Sequence, residues 1–204
     1  MTTVYTVGHS THTMDRFLGL LIPHGITAIA DVRSQPYSRF NPQFNREDLK
    51  RDLWAKGISY AFLGKELGAR SDDEYCYEDN KVQYDLIART KLFQAGLGRV
   101  ETGSAKYRLA LLCAEKEPLD CHRTILVARH LIERGGSVEH ILANGKAEPH
   151  ADTMRRLTRK LGLAEDHLFQ SREAVLLKSY EEQGSRIAYT RAEQSSGHLM
   201  EDQP

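Results

Sequence analysis

An alternation constrains this chain more than any other feature. Short β-rich apolar runs and amphipathic helical runs take turns from about residue 4 to residue 142. Strands are expected at Val4–Val7, Thr27–Arg33, Ile58–Leu63, Tyr107–Cys113 and Val138–Leu142. Helices are expected from Thr13 to about Pro23, Arg46 to about Lys56, Tyr84 to about Val100, and Cys121 to Arg134. Thr13, Asn45 and Asp120 are placed to cap three of these, because a short polar side chain can accept from the free amides of a first helical turn. Such an order dictates an α/β fold: a mostly parallel sheet of about five strands with helices on both faces. The near-continuous apolar character of residues 107–113 suits a strand covered on both sides.

Further along, helical stretches at about 151–161 and 172–182 suggest a helical C-terminal extension. The chain divides on this reading into an α/β core domain at 1–145, the extension at 146–190 and a polar tail at 191–204. Residues 69–81 are acidic and irregular and read as a loop or lid.

Charge excludes one class of explanation. Lys+Arg and Asp+Glu both total 28, so no global basic field draws in nucleic acid, and any such contact must be local. Met1 to Gly8 has neither a charged leader nor a long apolar run, so no signal peptide is expected. No stretch has the roughly 18 uncharged apolar residues of a membrane span. Three cysteines, Cys76, Cys113 and Cys121, are too few and odd in number for a disulfide framework, and a cytoplasmic setting is expected.

In open α/β sheets, ligands bind beyond the carboxyl ends of the strands. That rule collects His9 and Ser10 after the first strand, Asp31 and Arg33 after the second with Arg39 in the loop beyond, and Gly64, Lys65 and Glu66 after the third. The fourth strand delivers Cys113 and Glu115, then Cys121, His122 and Arg123 at a helix start. If Asp120 is the cap, Cys121 takes the first helical position, where the dipole favours a thiolate. The same start, with Arg123, is a natural anion site. Glu115 and His9 are candidates for proton transfer, and Cys113 is read as core. A zinc set of Cys113, Cys121, His122 and His9 lacks the usual Cys-x2-Cys pairing. The loop from Arg33 to Phe44 mixes Tyr37, Phe40 and Phe44 with Arg33 and Arg39, which can stack bases and hold phosphates or can fold back on the core. Arg155, Arg156, Arg159 and Lys160 read as a solvated helix face or a nucleic-acid contact.

Together, Gly8-His9-Ser10, Asp31-Val-Arg33-Ser-x-Pro36-x-Ser38-Arg39, Tyr60-x-x-Leu63-Gly64-x-x-Leu67-Gly68 and Cys113-x-Glu115…Cys121-His122-Arg123 resemble the bacterial and archaeal family called domain of unknown function 488. The resemblance spans about residues 3–145, with Ala69 standing where the family often has a second glycine. It implies an α/β fold and gives weight to the collected residues, and it implies no reaction.

The functional expectation is an enzyme acting on a phosphate-bearing nucleotide or nucleic acid. Glu115, His9, His122 and Cys121 are the catalytic candidates, and Ser10, Asp31, Arg33, Arg39 and Arg123 the substrate- or anion-binding ones. Two alternatives stay open: a metal-binding protein using the Cys/His cluster, and a thiol or sulfur-transfer enzyme based on Cys121. A non-catalytic binding module is a further class. The sequence names no cofactor, metal or oligomeric state, and its expected partner is an anionic small molecule or nucleic acid rather than a membrane.

Overall fold

The first strand, β1 (Thr3–Gly8), is followed by α1 (Met14–Leu21), where the Thr13 side chain accepts from the Arg16 amide as a cap should. The computed structural model describes residues 2–163 and 171–192, so most of the expected polar tail lies outside the described residues. A short 3-10 turn and Gly25, at φ 62°, return the chain to β2 (Ala28–Asp31). Asn45 precedes α2 (Arg46–Trp54) but does not cap it. Its Oδ1 instead accepts from the Ser38 amide at 2.7 Å, so the side chain organises the preceding loop. Then come β3 (Ser59–Phe62) and α3 (Gly64–Leu67).

Residues 69–81 are more ordered than a plain loop. They hold a 3-10 turn at Glu74–Cys76 and a hairpin of β4 (Tyr77–Glu78) and β5 (Lys81–Val82). Asp79 and Asn80 make its tight turn at φ 48° and 61°, the left-handed conformation that short polar residues tolerate. The hairpin is fastened to the C-terminal segment, where Lys81 bridges Thr190 and the Val82 amide donates to Tyr189.

The single helix expected over Tyr84–Val100 is two helices, α4 (Tyr84–Arg89) and α5 (Lys91–Ser104). Thr90 separates them at ψ 143°, and its hydroxyl accepts from the Phe93 amide at 3.1 Å. A good capping residue inside an apolar period starts a new helix.

After β6 (Leu109–Cys113) the expected cap is also corrected. Pro118 seeds a 3-10 turn through Asp120, and the Asp120 carboxylate accepts from Lys160 and Gln183. Cys121 is extended at φ −137° and ψ 137°, and its carbonyl accepts from the Thr124 and Ile125 amides. Cys121 therefore precedes the helix rather than beginning it. The helix itself opens with a π-helical turn, Arg123–Ala128, and continues as α6 (Arg129–Glu133). Single π turns inside helices are uncommon and are frequent at functional sites.

The chain closes with β7 (Ser137–Ile141), β8 (Ala147–Pro149), α7 (His150–Lys160) and α8 (Arg172–Ile187). Among the described residues the sheet has six strands, one more than the sequence pattern offered, in the order β3-β2-β6-β1-β7-β8. All neighbours are parallel except β7 and β8. One face packs Tyr5, Val7, Ile29, Ala110 and Leu112 against Phe17, Leu21, Leu49 and Leu53 of α1 and α2. The other packs Val4, Ala30, Leu111 and Cys113 against Phe93 and Leu97 of α5 and Leu126 and Leu131 beyond β6. The connection after β6 thus leaves over the face opposite to those after its two neighbours, β1 and β2, which puts the topological switch point at the end of β6.

A buried polar chain joins the last two helices to the sheet. Thr6 Oγ1 lies 2.7 Å from His140 Nδ1, His140 Nε2 lies 2.9 Å from His150 Nδ1, and His150 Nε2 lies 2.6 Å from the Tyr180 hydroxyl. Burial lowers the pKa of both histidines, that of His150 to about 4, so both are neutral and each can donate from one nitrogen and accept at the other.

Candidate functional site

At the carboxyl end of the switch point, the loops after β1 and β6 run against each other. The His9 amide donates to the Cys113 carbonyl at 3.0 Å, and the Ser10 amide to the Ala114 carbonyl at 2.8 Å. Gly8 permits this approach, since a Cβ there would stand 1.8 Å from the Glu115 carbonyl oxygen. Ser10 turns at φ 50°. The Gly-His-Ser run is thus a close-packed corner that fixes the backbone of Cys113 to Glu115. Gly64 and Gly68 serve the neighbouring strand similarly, because a Cβ on either would collide with Arg33 or Ser34.

Four potential donor atoms converge there. The ligand atoms of Cys113, Glu115, Cys121 and His122 all lie within 4.8 Å of one another, with Glu115 solvent-exposed and the other three buried. His122 Nδ1 stands 3.6 Å from Cys113 Sγ and 3.9 Å from Cys121 Sγ. Its Nε2 is 3.1 Å from the Val32 carbonyl, which can only accept. In the neutral ring the proton therefore sits on Nε2, and the Nδ1 lone pair faces the two sulfurs. Cys121 Sγ contacts Glu115 Oε2 at 2.9 Å, a spacing that needs one proton between them, and accepts from the Arg123 amide at 3.5 Å.

The electrostatics divide the two thiols. Burial pushes the Cys113 thiol up. Burial also opposes ionisation of Cys121, but the contact with Cys113 and the positive field of Arg123 outweigh it and hold its pKa down. Burial disfavours charge on His122, yet the sulfur of Cys121 and the carboxylate of Glu115 raise its pKa. Although the Glu115 residue is open to solvent, partial desolvation of its carboxyl group against the Cys121 sulfur, and the charge of that sulfur, push its pKa up.

The arginines are turned inward. Arg33 grips Asp31 through Nε at 2.8 Å and Nη2 at 2.6 Å, and its Nη1 points to His9 Nε2 at 3.1 Å. Asp31 also accepts from the Arg33 amide and the Tyr60 hydroxyl. His9 donates from Nδ1 to the Ser10 carbonyl at 2.7 Å and stacks on Phe44, and burial with Arg33 nearby lowers its pKa to about 4. Both of its nitrogens are engaged. Arg123 is 0% exposed, and among the described residues its guanidinium donates to the Glu115 carbonyl at 2.8 Å and the Lys116 carbonyl at 3.5 Å, while its Nε has no partner. Arg39 stays on the surface, 4.9 Å from the Phe40 ring.

The structure therefore brings Cys121, His122 and Glu115 together, and adds Cys113, which the sequence assigned to the core. It sets His9, Asp31 and Arg33 in an adjacent closed network, and keeps Arg39 outside. The signal for Cys113 was present in the period-two relation of Cys113 and Glu115 at a strand end. The orienting Val32 carbonyl had none, because a backbone acceptor is invisible in sequence.

Residues 13–130 match the family described as domain of unknown function DUF488, which is more than half of the chain, and the chain belongs to that family. No curated protein and no solved structure matches it. Among the described residues, no helix is long and apolar enough to cross a membrane.

Proposed function

We propose that this DUF488 protein is a metalloprotein in which Cys113, Glu115, Cys121 and His122 hold one zinc-class divalent ion. The carrying observation is the His122 ring, whose Nε2–H is committed to the Val32 carbonyl while Nδ1 faces two sulfurs. A ligating histidine commonly donates its second nitrogen in this way, which fixes tautomer and aim. Zinc–sulfur and zinc–nitrogen bonds of about 2.3 and 2.0 Å at tetrahedral angles separate S from N by about 3.5 Å. The two separations here, 3.6 and 3.9 Å, are close to that.

Charge supports the same reading. Arg123 is a fully buried cation that makes no ion pair with a carboxylate among the described residues, and the negative groups beside it are the candidate ligands Cys121, Cys113 and Glu115. A buried charge needs an opposite one. A divalent ion with two thiolates and one carboxylate carries one net negative charge, which the guanidinium balances. Soft sulfur donors with one imidazole favour zinc over magnesium or calcium.

Glu115 is the one donor on the solvent side, so its position is the exchangeable one. With water in its place, three protein ligands and a nearby carboxylate would suit hydrolytic chemistry. A phosphate-bearing substrate would then meet the metal rather than Arg33 or Arg123. Metal analysis of untagged protein tests the proposal. About one equivalent of zinc per chain is expected, lost in Cys113→Ser and His122→Ala and kept in Cys76→Ser. Folded protein that takes up no zinc, or a Cys113→Ser variant that binds as the parent does, rules it out.

The lowered pKa of Cys121 favours one other reading, thiol chemistry on that sulfur. Alkylation of metal-free protein measured against pH separates the two, since an ordinary or raised thiol pKa at Cys121 excludes the second.

A further inference from the structure

We infer that the loop from Ser34 to Phe44 is a platform for single-stranded nucleic acid, with bases stacking on Tyr37 and Phe40 and a phosphate meeting Arg39. The inference does not rest on the metal reading. Three aromatic residues occupy the loop and they part company. Phe44 is 1% exposed and packs on His9 and Phe17, whereas Tyr37 is 62% and Phe40 78% exposed.

The outward rings are not on a loose segment. Asn45 Oδ1 accepts from the Ser38 amide, and Ser38 Oγ accepts from the Phe40 and Asn41 amides at 3.2 and 3.3 Å. The Arg46 amide donates to the Pro36 carbonyl at 3.0 Å, and Gln43 Nε2 donates to the His12 carbonyl at 2.9 Å. Polar side chains thus hold the loop in a shape that leaves two large rings in water. A preordered aromatic surface loses little freedom when a flat ligand stacks on it. Bases of an open strand offer such faces, and paired bases inside a duplex do not.

Charge selects the same partner. No acidic residue lies between Asp31 and Glu47. Of the acids after the strands at this edge, Asp31 pairs with Arg33, Glu66 with Arg99, Glu117 with Arg156 and Asp120 with Lys160, whereas Glu115, Asp72 and Asp73 have no ion-pair partner among the described residues. Arg39, Lys65 and Lys116 follow three different strands at this edge, and none has an ion-pair partner among the described residues. The loop itself is therefore net positive in a neutral chain, with Arg33 paired inward and Arg39 unpaired beside the exposed Phe40 ring. By contrast, the basic face of α7 is partly neutralised, since Arg155 pairs with Asp152 and Arg156 with Glu117 and Glu148.

Fluorescence anisotropy on the full chain tests this with labelled dT15, rU15 and a 15-base-pair duplex. Saturable binding of a single strand that weakens with salt is expected, with the duplex bound more weakly. The dT15 and rU15 arms tell DNA from RNA. Phe40→Ala and Tyr37→Ala should each weaken binding about tenfold, the usual worth of one stacked base. Arg39→Ala should reduce the salt slope by about 0.7, the share of one phosphate on a single strand. All three side chains are surface ones, so circular dichroism and metal content should match the parent. Failure to bind either strand at low salt overturns the inference. So does a duplex bound as tightly as dT15, or a Phe40→Ala variant that binds like the parent. Binding that survives in Cys113→Ser keeps this result separate from the fate of the metal site.

Discussion

Gly8→Ala tests the corner on which the site is built. The added Cβ would lie 1.8 Å from the Glu115 carbonyl oxygen and 3.3 Å from Arg123 Nη1. A carbon–oxygen contact takes roughly 3.3 Å, so the carbonyl must retreat by about 1.5 Å. It cannot do so freely, because the amides of His9 and Ser10 bind the carbonyls of Cys113 and Ala114 just before it. Retreat also breaks the 2.8 Å bond from Arg123 Nη1, a buried cation with one other acceptor, the Lys116 carbonyl. Overpacking costs about 1–3 kcal/mol, and losing a charged buried hydrogen bond about 1.5–3 kcal/mol. The variant should lose about 3–6 kcal/mol, with a fall in Tm on the order of 10–20 °C. Urea unfolding followed by circular dichroism measures it. Gly98→Ala is the control: nothing lies within 4 Å of its Cβ in α5, so it should stabilise by about 0.4–1 kcal/mol. A Gly8→Ala protein within about 1 kcal/mol of the parent would refute the close-packing argument.

Other expectations follow from the same geometry. His9 and His150 are held neutral with pKa values of about 4, against the ordinary 6.5 they regain on unfolding. The unfolded chain then binds protons first, so stability is steady above about pH 6.5 and falls between 6.5 and 4. At pH 5 each should subtract about 2 kcal/mol, and urea midpoints that do not move between pH 7.5 and 5 would contradict this. Tyr180→Phe removes the hydroxyl at the end of the buried chain and leaves His150 Nε2 without its partner. It should cost about 1–3 kcal/mol in thermal unfolding, and an unchanged midpoint would show that the chain contributes nothing. Thr90→Ala deletes the cap that begins α5 and should cost about 1 kcal/mol, while a rise in stability would mean that the helix break is not set by that hydroxyl.

Much of the fold was legible in order along the chain. Apolar periodicity places β1, β2, β3, β6 and β7 because a buried strand must be apolar wherever it is covered. It misses β8, whose Ala-Glu-Pro is too short and polar to carry a period. It fuses α4 and α5, because the apolar face continues across Thr90 and only the cap divides them. The rule that ligands gather at strand ends assembled Glu115, Cys121 and His122 before any coordinates were needed.

What the sequence alone determined is the inventory: an α/β sheet, the strand ends that carry chemistry, and the cysteines, histidine and carboxylate near one of them. Tertiary structure decided which way each side chain turned. Arg33 and Arg123 looked like free cations in the sequence, but folding sets one on Asp31 and buries the other among backbone carbonyls. Cys113 is core, as the sequence suggests, but β6 also ends it beside His122, and the Val32 carbonyl, just past β2, orients that ring. Period and composition report what lies along the chain. Hydrogen bonds to backbone groups from distant strands fix direction, and those are set only when the strands have come together.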